Sequence, residues 1–262
     1  MNKRKQMSGF VSLVGAGPGD PELLTIKAFR RLQNSDLVLY DALVDAEILS
    51  IAPAAQRFCV GKRAGHKSVN QPTIERLLIR GAKAGKQVVR LKCGDPFVLG
   101  RGGEEALALQ KAGIPFEIIP GLTSATAAPA LAGVPVTHRG LSSGFVVISG
   151  HAESSYGKIL DSITPDSLTI IVLMGLASRK NIQSRLIKSG WNGCTHTAIV
   201  LAAGTKAQYS WYGRLDNLAN AEIPLERHLP GTIIIGDVVG LYSKTSNIKS
   251  PQLTASAIAF GS

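Results

Sequence analysis

The sequence predicts an α/β fold built as two α/β domains, and three observations carry that expectation. Short apolar, β-branched runs alternate with segments whose apolar residues recur every three or four positions. Glycine-rich loops follow directly on two of those runs. A Pro120-Gly121 pair then divides the alternation into two sets. Strand–helix alternation of this kind implies a mainly parallel sheet with helices on its faces.

In the first set, residues 10–14 (FVSLV) read as a strand and 23–33 as a helix. The runs at 37–40 (LVLY) and 57–60 (RFCV) read as strands, and 74–84 as a second helix. Residues 87–91 (QVVRL) make a strand, 104–112 a helix, and 116–119 (FEII) the last strand of the set. The second set has strands at 145–149 (FVVIS), 168–173, 198–201 and 232–239, with a helix near 181–189. This organisation assigns 8–120 to an N-terminal domain and 121–243 to a C-terminal one. A polar tail, 244–262, is left open to disorder. No fixed-period repeat or low-complexity tract stands out.

Composition bounds the function. The chain has 262 residues, 45% of them hydrophobic, with 28 glycines, which fits a globular α/β protein and not a disordered one. Aromatic residues make up 5%, too few for an interface built mainly on base stacking. Twenty-nine Lys and Arg against 18 Asp and Glu give a net charge of +11. That excess attracts polyanions, whether nucleic acid, a membrane surface or a small polycarboxylate or polyphosphate, and equally describes a basic solvated surface. Cys59, Cys93 and Cys194 lie far apart with no CxxC pair, which suits a reducing compartment. The five histidines show no ligand spacing, so no metal is expected. The first seven residues are polar and basic with no apolar run behind them, unlike a secretory signal. The longest uncharged stretch, 118–137, is interrupted by Pro120, Pro129 and Pro135, unlike a membrane span. A soluble cytoplasmic protein is expected.

Two loops carry the chemistry. GAGPGDPE (15–22) leaves the first strand and enters a helix, the place where α/β proteins bind ligands. It is not a dinucleotide fingerprint, since the third glycine comes one residue early at Gly19 and Pro18 sits inside the loop. GAKAGKQ (81–87) fails as a phosphate loop on spacing and on the missing Ser or Thr. By itself the first loop is as well explained as a tight turn. The second loop, RLKCGDPFVLGRGGEE (90–105), again runs from strand to helix. Its glycines admit close backbone approach to a ligand, and Asp95 can accept hydrogen bonds from one. Glu104 and Glu105 read as helix-starting residues favoured by the dipole, not as catalysts.

The strings VGAGPGDPELLT (14–25), LYDALV (39–44), GKRAGH (61–66), VVRLKCGDPFVLGRGGEE (88–105), PGLTSA (120–125) and GVPVTHR (133–139) occur in order. Together they resemble the uroporphyrinogen-III C-methyltransferase branch of the tetrapyrrole methylase superfamily, over roughly residues 8–240. The resemblance implies two α/β domains with the active site in the trough between them, usually in a homodimer. It implies S-adenosyl-L-methionine as methyl donor and methylation of uroporphyrinogen III at two ring carbons to give precorrin-2, for siroheme or cobalamin. Carried over by position, it places the donor against Pro18, Cys93, Gly94, Asp95, Val98, Thr123, Ser124, Met174, Ala203 or Gly204, and Thr232. It makes Asp41 the proton acceptor and Lys62 a proton donor. Arg63, Arg101, His138 and Arg139 are the candidates for the carboxylate arms of the tetrapyrrole, since arginine forks bind carboxylates bidentately. The implied partner is this small molecule, with neither nucleic acid nor membrane.

The residues also admit plainer readings. Asp41 at a strand end can cap a turn, Met174 fits core packing on periodicity, His138 is a lone histidine, and Lys62 and Arg63 fit a basic surface. The chain departs from the family pattern at Cys93, where glycine is usual, at Leu99, where an aromatic is common, and at Ser124, where alanine is usual. Near 200–205 it is one residue longer, which leaves that donor contact uncertain by one position. An RNA methyltransferase, a methylase of a later corrinoid, and a non-catalytic tetrapyrrole carrier are the competing readings.

Overall fold

The computed structural model describes residues 9–61, 69–224 and 229–241. Two five-stranded sheets are formed. The first has the order β3-β2-β4-β1-β5, from β1 (Phe10–Gly15), β2 (Leu37–Tyr40), β3 (Gln56–Cys59), β4 (Gln87–Lys92) and β5 (Phe116–Ile119), all parallel. Helices α1 (Ile26–Gln33) and α2 (Ala46–Ser50) cover one face, and α3 (Gln71–Lys83) and α4 (Gly102–Lys111) cover the other. The core divides accordingly: Val89 and Leu91 of β4 pack with Ala28, Leu32 and Ile48, whereas Val88 packs with Ile74, Leu78 and Leu109. Alternation along the strand produces this division, because successive side chains of a strand point to opposite faces.

The second sheet has the order β6-β7-β10-β8-β9 and is mixed. Strands β6 (Phe145–Ser149) and β7 (Thr169–Leu173) are parallel, while β8 (His196–Leu201), β9 (Tyr209–Arg214) and β10 (Gly231–Ile235) join through antiparallel pairings. Helices α6 (Glu153–Ser162) and α7 (Arg179–Lys188) cover one face. The other is packed by α5 (Ser124–Leu131) and by a 3-10 turn, Asp237–Leu241. Helix α5 follows Pro120-Gly121 in the chain yet packs on the second sheet, with Ala125 and Ala128 against Ile171, Ala198, Val200 and Ile234.

Several elements differ from the sequence expectation. The first helix begins at Ile26, capped by the Thr25 hydroxyl on the Ala28 N–H, after a separate 3-10 turn at Pro21–Leu23. The strand expected at 232–239 stops at Ile235, because Gly236 adopts φ 147° and the chain then turns helical. Helix α5 lies within the proline-interrupted stretch and carries Pro129 in its interior. Among the described residues no helix is long and apolar enough to cross a membrane.

Candidate active site

The parallel order of the first sheet sets the carboxyl ends of β1, β4 and β5 side by side, with Gly15 opposite Lys92 and Val14 opposite Ile119. Their three loops therefore meet. Gly17 and Gly94 exchange hydrogen bonds, Gly94 N–H to Gly17 O at 2.8 Å and the reverse at 3.2 Å. Gly15 and Gly121 pack so closely on this crossing that a Cβ at Gly121 would lie 2.3 Å from the Gly94 carbonyl oxygen. Asp95 locks the arrangement: its Oδ2 accepts from Gly121 N–H at 3.1 Å and its Oδ1 from Phe97 N–H at 2.8 Å. The aspartate is thus a clamp between loops.

These loops face the second sheet across a cavity of about 280 Å³. Leu173 and Met174 at the end of β7, Val200 and Ala203 around the end of β8, and Pro230 to Thr232 at the start of β10 form its far wall. The rim is joined where Pro18 packs against Gly204, and where Lys206 Nζ meets Glu47 Oε1 at 3.0 Å. Leu99 (φ 54°) and Met174 (φ 56°) line the cavity in left-handed conformations that non-glycine residues seldom adopt. Backbone strain of this kind persists only where surrounding contacts over-determine it, and it gathers at ligand sites.

Of the residues singled out in the sequence, Pro18, Asp41, Cys93, Gly94, Asp95, Val98, Thr123, Ser124, Met174, Ala203 and Thr232 line this one cavity. Gly204 lies behind Pro18 and not on the wall, so Ala203 is the lining residue of that uncertain pair. Arg101 is outside the cavity on an adjoining groove. His138 and Arg139 are exposed on a turn closed by His138 N–H to Ser142 O at 2.9 Å, away from the lining. Lys62 and Arg63 fall outside the described residues. The left-handed turn after β4 is made by Gly94 (φ 64°), and Cys93 is not among the positive-φ residues, so cysteine there meets no backbone penalty. Burial, reinforced by the charge of Asp41, pushes the Cys93 thiol up to about 12.

Leu99 and Gly100 of the second glycine loop also line the cavity, as do Leu43, Val200 and Pro230, which the sequence did not single out as ligand contacts. The larger omission in the sequence reading is a buried charge network behind Asp41. Arg90 and Lys92, two apart on β4, share the face that looks toward α4, and each is 3% exposed. Arg90 donates from Nε to Glu105 Oε1 at 2.9 Å and from Nη1 to the Leu91 carbonyl at 3.1 Å. From Nη2 it donates to Asp41 Oδ1 at 2.5 Å. Lys92 Nζ lies 3.2 Å from Glu105, and Gln71 donates to the same carboxylate at 3.4 Å. Glu105 does start a helix, as its position suggests, but it is fully buried as the counter-charge of two cations. The alternation Arg90-x-Lys92 inside a strand was the available signal.

Among the described residues the lining of the cavity holds two carboxylates, Asp41 and Asp95, and no Lys, Arg or His. Its walls are otherwise apolar apart from Thr123, Ser124, Thr232, Cys93 and backbone. An apolar slot with a few polar groups fits a nucleoside-sized ligand, and carboxylates without a basic side chain among its described lining residues fit a cationic one. Among the described residues no group of three or more His, Cys, Asp or Glu could hold a metal ion.

Comparison with known proteins places this geometry. Residues 11–219 match the family model of the tetrapyrrole (corrin/porphyrin) methylases. The chain is 44% identical over 238 residues to the uroporphyrinogen-III C-methyltransferase of Methanocaldococcus jannaschii, covering 90% of this chain and 98% of that one. It is 44% identical over 249 residues to the siroheme synthase of Zymomonas mobilis, covering 94% of this chain and 52% of that protein, so it spans about half of it. Among solved structures, the uroporphyrin-III C-methyl transferase from Thermus thermophilus, complexed with S-adenyl homocysteine, superposes with a TM-score of 0.76. It is 42% identical, with 89% of this chain and 100% of that one covered.

Proposed function

The chain belongs to the tetrapyrrole (corrin/porphyrin) methylase family, and we infer from that membership that it uses S-adenosylmethionine to C-methylate uroporphyrinogen III. Methylation at two ring carbons gives precorrin-2, the branch point to siroheme and cobalamin. The single observation that carries the reading is the near-full-length match to a methyltransferase of that name. The donor's fit is supported by the apolar lining, which among the described residues carries two carboxylates and no cation.

When bound, the donor supplies a methyl group on a sulfonium centre, an already activated leaving group. The protein's part is then chiefly positioning, since holding reactants at near-attack distance can supply much of the acceleration. We assign the donor's contacts to Pro18, Cys93, Gly94, Asp95, Val98, Thr123, Ser124, Met174, Ala203 and Thr232, with Gly204 acting through Pro18. Asp41 stands on the cavity wall with Oδ1 held by Arg90, which leaves Oδ2 outside that pair. We assign it the proton leaving the methylated pyrrole, with Lys62 as proton donor. Arg63, Arg101, His138 and Arg139 are assigned to the carboxylate arms; the chain's charge of +11 supports a polyanionic substrate.

We divide the chain into functional halves at 120/121, on the ground that α5 packs with the second sheet. A cytoplasmic homodimer without nucleic-acid partners completes the proposal. Its supports are three cysteines that are all free and exposed apolar side chains such as Leu122, Leu131 and Phe145.

The test is an anaerobic incubation with S-adenosylmethionine and uroporphyrinogen III, following product mass. A gain of two methyl groups is expected. Donor binding without any mass gain would overturn the substrate assignment.

A further inference from the structure

A shallow groove adjoins the cavity and shares Leu99 and Gly100 with it. Phe97 and Leu99 expose apolar surface there, 57% and 45% respectively. Among the described residues Arg101 is the one basic side chain lining either the cavity or the groove. Its guanidinium is already engaged: Nε donates to Glu104 Oε1 at 2.8 Å and Nη2 to Glu104 Oε2 at 2.6 Å. Two parallel bonds of this kind form the fork-on-fork geometry in which arginine takes any carboxylate. Glu104 therefore occupies the arrangement that a carboxylate arm of a ligand would need.

Among the described lining residues the carboxylates are Asp41, Asp95 and Glu104; Asp41 is paired with Arg90, Asp95 accepts from two backbone N–H groups, and Glu104 alone holds Arg101. A carboxylate arm can take the Arg101 fork only in exchange for Glu104.

The local structure makes that exchange cheap. The pair is half in water, with side chains 57% and 52% exposed, so its net contribution is small. Glu104 sits in the first turn of α4, where the helix dipole favours its charge with or without Arg101. Arg101 itself is pinned at the rim: it adopts φ 59° just before α4, and the next residue, Gly102, donates to the Pro96 carbonyl at 2.9 Å. The hydrogen bonds from Arg101 hold Glu104 below the usual carboxylate range, so it remains a charged competitor at neutral pH.

We propose that Glu104 is a built-in surrogate for a substrate carboxylate. It pairs with Arg101 in the free protein and is displaced by a carboxylate arm of the tetrapyrrole, so that Glu104 sets affinity for the macrocycle. The proposal rests on the reading that this chain methylates uroporphyrinogen III.

The experiment is steady-state methylation at saturating S-adenosylmethionine with the wild type, Glu104→Gln, Arg101→Ala and the double variant. Wild-type turnover of uroporphyrinogen III is scored first; its absence overturns the functional reading itself. Given turnover, Glu104→Gln lowers KM for the tetrapyrrole about two- to fivefold, the range of an exposed ion pair, with the change on KM and not on kcat. Arg101→Ala raises KM, and in that background Glu104→Gln has no further effect. An unchanged or raised KM in Glu104→Gln overturns the proposal. So does an equal fall in KM in the Arg101→Ala background, which would make Glu104 a general negative charge and not a competitor for Arg101.

Discussion

Arg90 on β4 reaches Asp41 at the end of β2, Nη2 to Oδ1 at 2.5 Å, while its Nε holds Glu105 of α4 at 2.9 Å. One guanidinium thus ties a carboxylate on the cavity wall to a carboxylate in the core. Burial works against the charge of Arg90, but the Asp41 and Glu105 carboxylates prevail and hold its pKa above the ordinary value. Lys92 goes the other way: burial and the neighbouring charge of Arg90 lower it, against the pull of Glu105.

Asp41→Asn keeps the shape and a partner for Arg90 but removes the basic oxygen. The expected loss in kcat is about 10²–10⁴-fold, the usual worth of a placed general base. Donor affinity measured by calorimetry should stay within a few-fold of wild type. An unchanged kcat would remove Asp41 from the chemistry.

Glu105→Gln leaves Arg90 and Lys92 buried with their shared counter-charge gone. Breaking a buried ion pair from one side costs about 3–5 kcal/mol, and a drop of that order is expected in urea unfolding. Its neighbour Glu104 is half exposed, and Glu104→Gln should be nearly neutral in the same measurement.

The reactive form of a cysteine is its thiolate. With the Cys93 thiol pushed up to about 12 by burial and by Asp41, iodoacetamide at pH 8 should label exposed Cys194 and spare Cys93. Peptide mass mapping across a pH series reads this directly. Ready alkylation of Cys93 at neutral pH would contradict the environment described for it.

Glu117 on β5 accepts from Arg31, Lys27 and Ser12, and those bonds outweigh its partial burial and depress its pKa to about 2. A depressed carboxylate contributes stability above its unfolded pKa and loses it as pH falls through the folded value. Wild type should therefore exceed Glu117→Gln by about 1–2 kcal/mol at pH 7, after allowance for solvent screening. That margin should shrink from about pH 5 down to about pH 2 in pH-dependent denaturation.

Gly121→Ala would place a methyl group 2.3 Å from the Gly94 carbonyl, against backbone that cannot rotate away. Overpacking of this kind costs about 1–3 kcal/mol, and the displaced loops should also weaken donor binding. Both are read from one preparation, by thermal melting and by calorimetric titration.

Elements with strong local patterns were legible in the sequence. The runs that became β1, β2, β4, β5, β6 and β7 are apolar and β-branched, and α1, α3 and α7 carry a helical repeat. Helix α5 was hidden because Pro129 reads as a breaker, yet small apolar residues pressed onto the second sheet hold it helical. Strand β9 was hidden because its partner β8, and not its own pattern, makes it a strand.

By itself, then, the sequence determined the two-set α/β alternation, the loops at strand ends and, through their ordered motifs, the family. Each of these is written within a few consecutive residues, where periodicity and turn chemistry act. The tertiary structure alone decided that Arg90 meets Asp41, 49 positions away, that Glu105 is core and Glu104 rim, and that Leu43, Val200 and Pro230 line one cavity. Those contacts follow from strand order and from the docking of two sheets. Long-range packing sets them, and no local pattern records which distant segments it brings together.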